Sequence, residues 1–148
     1  MKAITLTEPW ATLVLLGAKK IETRSWACYY FNRPIAIHSA KRYPKREFAP
    51  LVNTEPFRSA LRPGGVYCHP ENNCGQVIGI ASFVACCHVE LIRDKLSENE
   101  LAFGNYEANR YAFQLGPIKR LAHPIPATGK LGLWEWDHTL RPGEVIEE

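Results

Sequence analysis

Gly17-Ala18-Lys19-Lys20-Ile21-Glu22-Thr23-Arg24-Ser25-Trp26 is the stretch on which the reading of this chain turns. A helix-like apolar run stops at Gly17, and four charges and an aromatic follow within one short segment. Alternation over Lys20–Trp26 predicts a strand. Lys20, Glu22, Arg24 and Trp26 would point one way, Ile21 and Thr23 the other, with Lys19 at the turn where helix becomes strand. Charges crowded at the start of a strand are costly to bury and unnecessary for folding. A cleft handling a polar or anionic ligand would give them a use. The competing reading is a solvated edge strand.

Upstream, Ala3–Thr7 reads as a strand. Glu8-Pro9-Trp10 opens a helix, with Thr7 as N-cap and Pro9 in the first turn. Trp10, Leu13, Val14 and Leu16 form its apolar face, and Gly17 ends it. Downstream, Pro34–Ala40 is a buried-type strand. Residues 42–62 look helical with a break near Asn53–Pro56, and 63–75 read as a turn-rich surface loop. Gln76–Leu91 reads as one long strand bent at Gly79. Ser97-Glu98-Asn99-Glu100 resembles a capping box, and Tyr111–Leu115 and Gly132–Trp136 read as further strands. The pattern predicts an α+β arrangement, a mixed sheet or small barrel with flanking helices.

A length of 148 residues predicts one domain, 1–148, with a core that needs no staples. No apolar run approaches the roughly 20 residues of a membrane helix, and the first residues carry no leader pattern, so the expectation is a cytoplasmic protein without membrane partners. Five cysteines cannot all pair internally, which favours a reduced compartment. Net charge is +3, but residues 1–62 hold 11 Lys and Arg against 4 Asp and Glu, and residues 63–148 hold 7 against 11. A basic half of this kind attracts polyanions. No phosphate-binding glycine loop or dinucleotide motif is present, so no cofactor is expected. Cys68-His69 with Cys74 falls short of the four ligands of structural zinc, so no metal is expected either.

Pro9-Trp10-Ala11, then Gly17-x-Lys19-x-x-Glu22-x-Arg24-x-Trp26, then Ile37-His38-Ser39-Ala40-Lys41 resemble the ASCH domain (activating signal cointegrator homology). Val77-Ile78-Gly79, Tyr111–Leu115, Pro124-Ile125-Pro126 and Gly129–Trp134 resemble its later strands, whereas residues 42–75 match none of its motifs. The resemblance implies a PUA-like fold, a small mixed β-barrel with helices around a cleft. It also implies RNA-related work, with RNA or a modified nucleoside or nucleotide as partner. The family includes nucleic-acid-binding modules, amidohydrolases that deacetylate acetylated cytidine, and ribonucleases, so binding and hydrolysis both stay open.

In the amidohydrolase branch the residue matching Lys19 carries the chemistry, and a partly buried lysine of lowered pKa could act as base or nucleophile. Glu22 stands where that pattern has threonine. It is open between general base and ion-pair partner of Arg24. Arg24 is the candidate for two-point contact with a phosphate or carboxylate. His38, inside an apolar strand, is open between a cleft group and a satisfied core histidine. Lys41 joins the nucleotide-binding set. Trp10, Trp26, Tyr111 and Trp134 are the aromatics weighed for stacking on a base. Arg42, Lys45 and Arg46 continue a basic run suited to phosphate-backbone contact.

Overall fold

A computed structural model of the chain describes residues 1–146. The elements run β1 (Lys2–Leu6), α1 (Trp10–Leu15), β2 (Ile21–Arg24), β3 (Ile35–Ser39), α2 (Lys45–Val52), α3 (Phe57–Ala60), β4 (Gln76–Ala81), β5 (Phe83–His88), α4 (Glu98–Ala102), β6 (Tyr111–Leu115), β7 (Lys119–Pro126) and β8 (Leu133–Glu135). Five strands form one sheet in the order β7-β4-β3-β1-β8, and three form another in the order β2-β6-β5. Among the described residues only β1 and β3 pair in parallel; the other ladders are antiparallel. The sheets face each other across one apolar cluster, with Ile4, Ile35, Ile37 and Ile78 from the first and Phe83 and Phe113 from the second. Among the described residues no ladder joins the two, so the expected small barrel is not closed.

The single strand expected over Gln76–Leu91 is two. The chain leaves the first sheet after Ala81 and enters the second at Phe83, which carries the core from one layer to the other. Gly79 is tightly enclosed: a Cβ there would lie 2.9 Å from the Lys119 carbonyl oxygen, at a register shift in the β4–β7 ladder. Strand β7 was expected only at its end, where Pro124-Ile125-Pro126 resembles a family strand; its first residues, from Lys119, were not read as a strand. Its prolines and charges hide a period of two, and its pairing to β4 supplies what the pattern does not.

Helix α1 starts later than expected. Pro9 takes the N-cap position and Thr7 offers no side-chain cap. The Glu8 carboxylate instead accepts from the Thr12 amide at 2.9 Å, meeting an orphan donor of the first turn. Gly17 ends the run at φ +75°, where a side chain would be strained.

The segment that matched no family motif forms α2, α3 and short 3₁₀ turns. Helices this short are marginal alone, and α2 also contains Pro50. Packing holds them: Val52, Phe57 and Leu61 are buried against Leu13 of α1 and against Phe103. Burying each such side chain stabilises by about 1.5–3 kcal/mol. The segment thus caps α1 on the side where the cleft described next opens.

Candidate functional site

Strand β2 presents its alternating faces as expected. Ile21 and Thr23 are buried, and Glu22 and Arg24 are half-buried on the other side. The Arg24 Nη2 donates to the Thr5 carbonyl oxygen at 2.9 Å and pairs with Glu22 Oε2 at 3.2 Å. Glu22 Oε1 accepts from the Thr23 amide at 2.9 Å. Glu22 is therefore the ion-pair partner of Arg24. Both open onto a cleft of about 450 Å³, a volume in the range of small-ligand sites. Trp10 forms one wall and the 102–105 turn another.

Arg110, which sequence reasoning missed, is the second guanidinium of this cleft. It donates to the Thr23 carbonyl at 2.9 Å and the Asn105 carbonyl at 3.2 Å. The missed signal was register: Arg24 pairs with Tyr111, so the residue just before Tyr111 falls beside the end of β2. Two guanidiniums against one carboxylate leave the cleft cationic, and both are held in place by backbone carbonyls.

Lys19 lies in the connection between α1 and β2, as expected, but its side chain is turned inward. It is 2% exposed, and its ammonium donates to the Phe103 carbonyl at 2.8 Å. That places it behind the wall made by Phe103 and Gly104. A Cβ on Gly104 would lie 3.4 Å from Lys19 Nζ and 2.8 Å from the Tyr106 ring, so only glycine fits between them. Burial pushes the Lys19 ammonium below the usual lysine range, while Glu22 and Glu100 counter it. Glu100 is the half-realised capping box. Ser97 Oγ caps the Glu100 amide at 3.1 Å, but the Glu100 carboxylate turns to the amides of Lys20 and Ile21. Tyr106 lies in the same wall, its hydroxyl buried without a partner among the described residues and pushed up by burial, then by Glu100 and Glu22.

Four expected members stand elsewhere. Strand β2 ends at Arg24, so Trp26 leaves its face and packs edge-on against Phe113 at 5.0 Å. Tyr111 packs on the same core cluster and tilts over His88 at 4.7 Å. His38 and Lys41 line a second, larger cleft of about 960 Å³. Thr5 lines both clefts.

His38 itself is satisfied. Its Nε2 lies 2.8 Å from the Ala127 carbonyl and its Nδ1 lies 3.1 Å from Thr5 Oγ1, which also accepts from Trp134 Nε1 at 3.0 Å. A carbonyl can only accept, so Nε2 carries a proton; in the neutral ring that burial favours, Thr5 donates to Nδ1. Burial holds its pKa below the ordinary histidine value.

Arg42, Lys45 and Arg46 are exposed and belong to none of the ion pairs among the described residues. Lys45 and Arg46 lie on α2, whose Phe48 packs edge-on against Trp10 at 5.3 Å, and Arg42 follows Lys41 just before that helix. Among the described residues no group of three or more His, Cys, Asp or Glu stands close enough together to hold a metal ion.

A second missed residue is Glu8. It is fully buried, accepts from Ser39 Oγ at 2.6 Å as well as from Thr12, and burial pushes its pKa up to about 7. At the head of a helix an acid looks like an ordinary dipole partner, so the sequence carried no sign of its burial.

The fold is matched among solved structures. The crystal structure of an ASCH protein from Zymomonas mobilis aligns with TM-score 0.52 at 18% identity, covering 97% of this chain and 89% of that one. The chain has the fold of the ASCH proteins. A serine-to-alanine variant of the same bacterial protein aligns with TM-score 0.50 at 20% identity, covering 97% and 89%. A tyrosine-to-phenylalanine variant gives 0.52 at 18%, covering 97% and 91%. No family model matches the sequence, and no curated protein does. On this ASCH fold, the helices α2 and α3 are packed where α1 meets the cleft.

Proposed function

We propose that the protein binds single-stranded RNA, holding one nucleotide, standard or modified, in the cleft of Trp10, Glu22, Arg24 and Arg110. The two-sheet layout is then an opened PUA-like barrel. The observation that carries this reading is the pair of guanidiniums fixed by backbone carbonyls around a nucleotide-sized hollow with an indole in its wall. Guanidinium forks suit phosphate oxygens, and an indole face accepts any base. Arg42, Lys45 and Arg46, exposed, in no ion pair among the described residues and on or just before the helix whose Phe48 packs on Trp10, suit the flanking backbone. Fluorescence anisotropy with a labelled RNA oligomer tests it. Affinity should fall steeply with salt and drop on Arg24→Ala. Salt-insensitive binding, or no binding to any RNA, contradicts it.

A hydrolytic reading has one supporting observation, the buried ammonium of Lys19 with its depressed pKa beside Glu22. Against it, Lys19 Nζ sits behind the Phe103–Gly104 wall rather than in the cleft. Chromatography of acetylated cytidine incubated with the protein separates the two. Product formation lost in Glu22→Gln favours hydrolysis, and no product leaves binding alone.

A further inference from the structure

The larger cleft is left over by that reading, and its construction is specific. Three segments form its base, and they are bonded to one another. The Gly75 amide donates to the Ser39 carbonyl at 2.8 Å, and the Ala127 amide to the Gly75 carbonyl at 3.0 Å. The His38 ring then donates to the Ala127 carbonyl. The turn that follows is pressed onto this base. A Cβ on Gly129 would lie 2.7 Å from Thr5 Oγ1 and 2.8 Å from the His38 ring, so no larger residue fits.

The turn carries Lys130 and Leu131, and the opposite rim carries Lys41, lying against Gly75. Both lysines are exposed, and neither belongs to an ion pair among the described residues. Between them the lining is mainly apolar, including Ala40, Pro126, Ala127 and Leu131, which is 98% exposed. Two free cations on an apolar hollow suit a ligand with an anionic strand and a flat apolar body. The hollow is also linked to the first cleft through one residue. The Thr5 carbonyl receives Arg24 and the Thr5 hydroxyl receives the Trp134 indole while donating to His38.

We propose that this second cleft is a subsite for the nucleotide next to the one held by Arg24, with Lys41 and Lys130 on its phosphates, so that the ligand is an RNA strand spanning both clefts across Thr5 and not a free nucleoside. This rests on the nucleotide reading of the first cleft. His38 is a positioning residue here: it pins the loop that presents Lys130 and touches no ligand.

The test is binding of uridine 5′-monophosphate and of uridine oligomers of two, four and eight nucleotides, by calorimetry and anisotropy across a salt series. For the unaltered protein, affinity should rise at least tenfold from monomer to tetramer. The exposed-site double variant Lys41→Ala/Lys130→Ala should abolish that rise and leave monophosphate affinity unchanged. It should also shallow the log–log salt slope by about 1.4, at roughly 0.7 per lost phosphate contact on a single strand. Unchanged length dependence and slope in the double variant overturn the subsite while leaving the first cleft intact. Equal competition by polyglutamate and RNA for the double-lysine site overturns it in favour of an acidic protein partner. If the unaltered protein binds neither monophosphate nor oligomer, the first-cleft reading has failed and the subsite falls with it.

Discussion

The two clefts on either side of Thr5 are built by opposite means. In the smaller one every charge is held: Arg24 by Thr5 and Glu22, Glu22 also by the Thr23 amide, Arg110 by Thr23 and Asn105. In the larger one the walls are apolar and the lysines are free. Held charges give geometry, because their orientation is set before the ligand arrives. Free lysines give attraction without geometry, which salt removes. On the proposed RNA-binding function, selectivity would belong to the Arg24 side and reach along a strand to the Lys41 side.

The sharpest way to break this contrast is Arg24→Ala. Loss of a charge-assisted, two-point contact should cost about 2–3 kcal/mol of binding, and anisotropy should show it at high salt as well as low. Arg24→Lys should recover little, since an ammonium cannot fork. If Arg24→Ala weakens binding no more than loss of an exposed lysine does, the clefts do not differ as described.

The protonation of the two buried groups behind the clefts gives a second contrast, read by melting temperature against pH. Glu8 has its pKa raised from 4.5 to about 7 in the fold. Its contribution is full below pH 4.5 and is lost as pH rises through 7. His38 has its pKa lowered from 6.5. Its contribution is full above pH 6.5 and is lost as pH falls below that. Between pH 4.5 and 6.5 the two slopes oppose. Glu8→Gln should stabilise by on the order of 2 kcal/mol above pH 7 and unmask a stability that rises with pH below it. An unchanged pH profile in Glu8→Gln would show that Glu8 stays ionised in the fold.

Gly129→Ala and Gly104→Ala probe the walls. Each puts a methyl group against packed side chains, and each should cost about 1–2 kcal/mol of stability in thermal or denaturant melts. Gly104→Ala should also disturb ligand binding at the first cleft, and Gly129→Ala only the binding of longer strands. The smallest effect separates two tryptophans. Trp10→Ala should lower RNA affinity about tenfold, whereas Trp26→Ala should leave affinity unchanged and lower the melting temperature.

How far the sequence reached follows from which contacts are local. Alternation placed Glu22 and Arg24 on one face and Ile21 and Thr23 on the other, because that depends on strand geometry alone. It failed at Trp26, where the strand has already ended. Lys19 was expected to be a partly buried lysine, and it is; what the sequence carried no sign of is its partner, the Phe103 carbonyl, 84 positions away. Glu8 and Arg110 were invisible for the same reason: Glu8 is buried by Ser39 from β3, and Arg110 enters the cleft through the β2–β6 register. The motif series reached the ASCH fold but placed His38 and Lys41 with Arg24, when the chain sets them on the far side of Thr5.

The most direct test is a side-chain NMR titration of the nitrogen-15-labelled protein with uridine 5′-monophosphate. The account predicts saturable shifts at the Arg24 and Arg110 guanidinium Nε–H and the Trp10 indole N–H, with the Trp26 indole unmoved. Shifts confined to the backbone around Lys41 and Lys130, or no shifts at millimolar ligand, would contradict it.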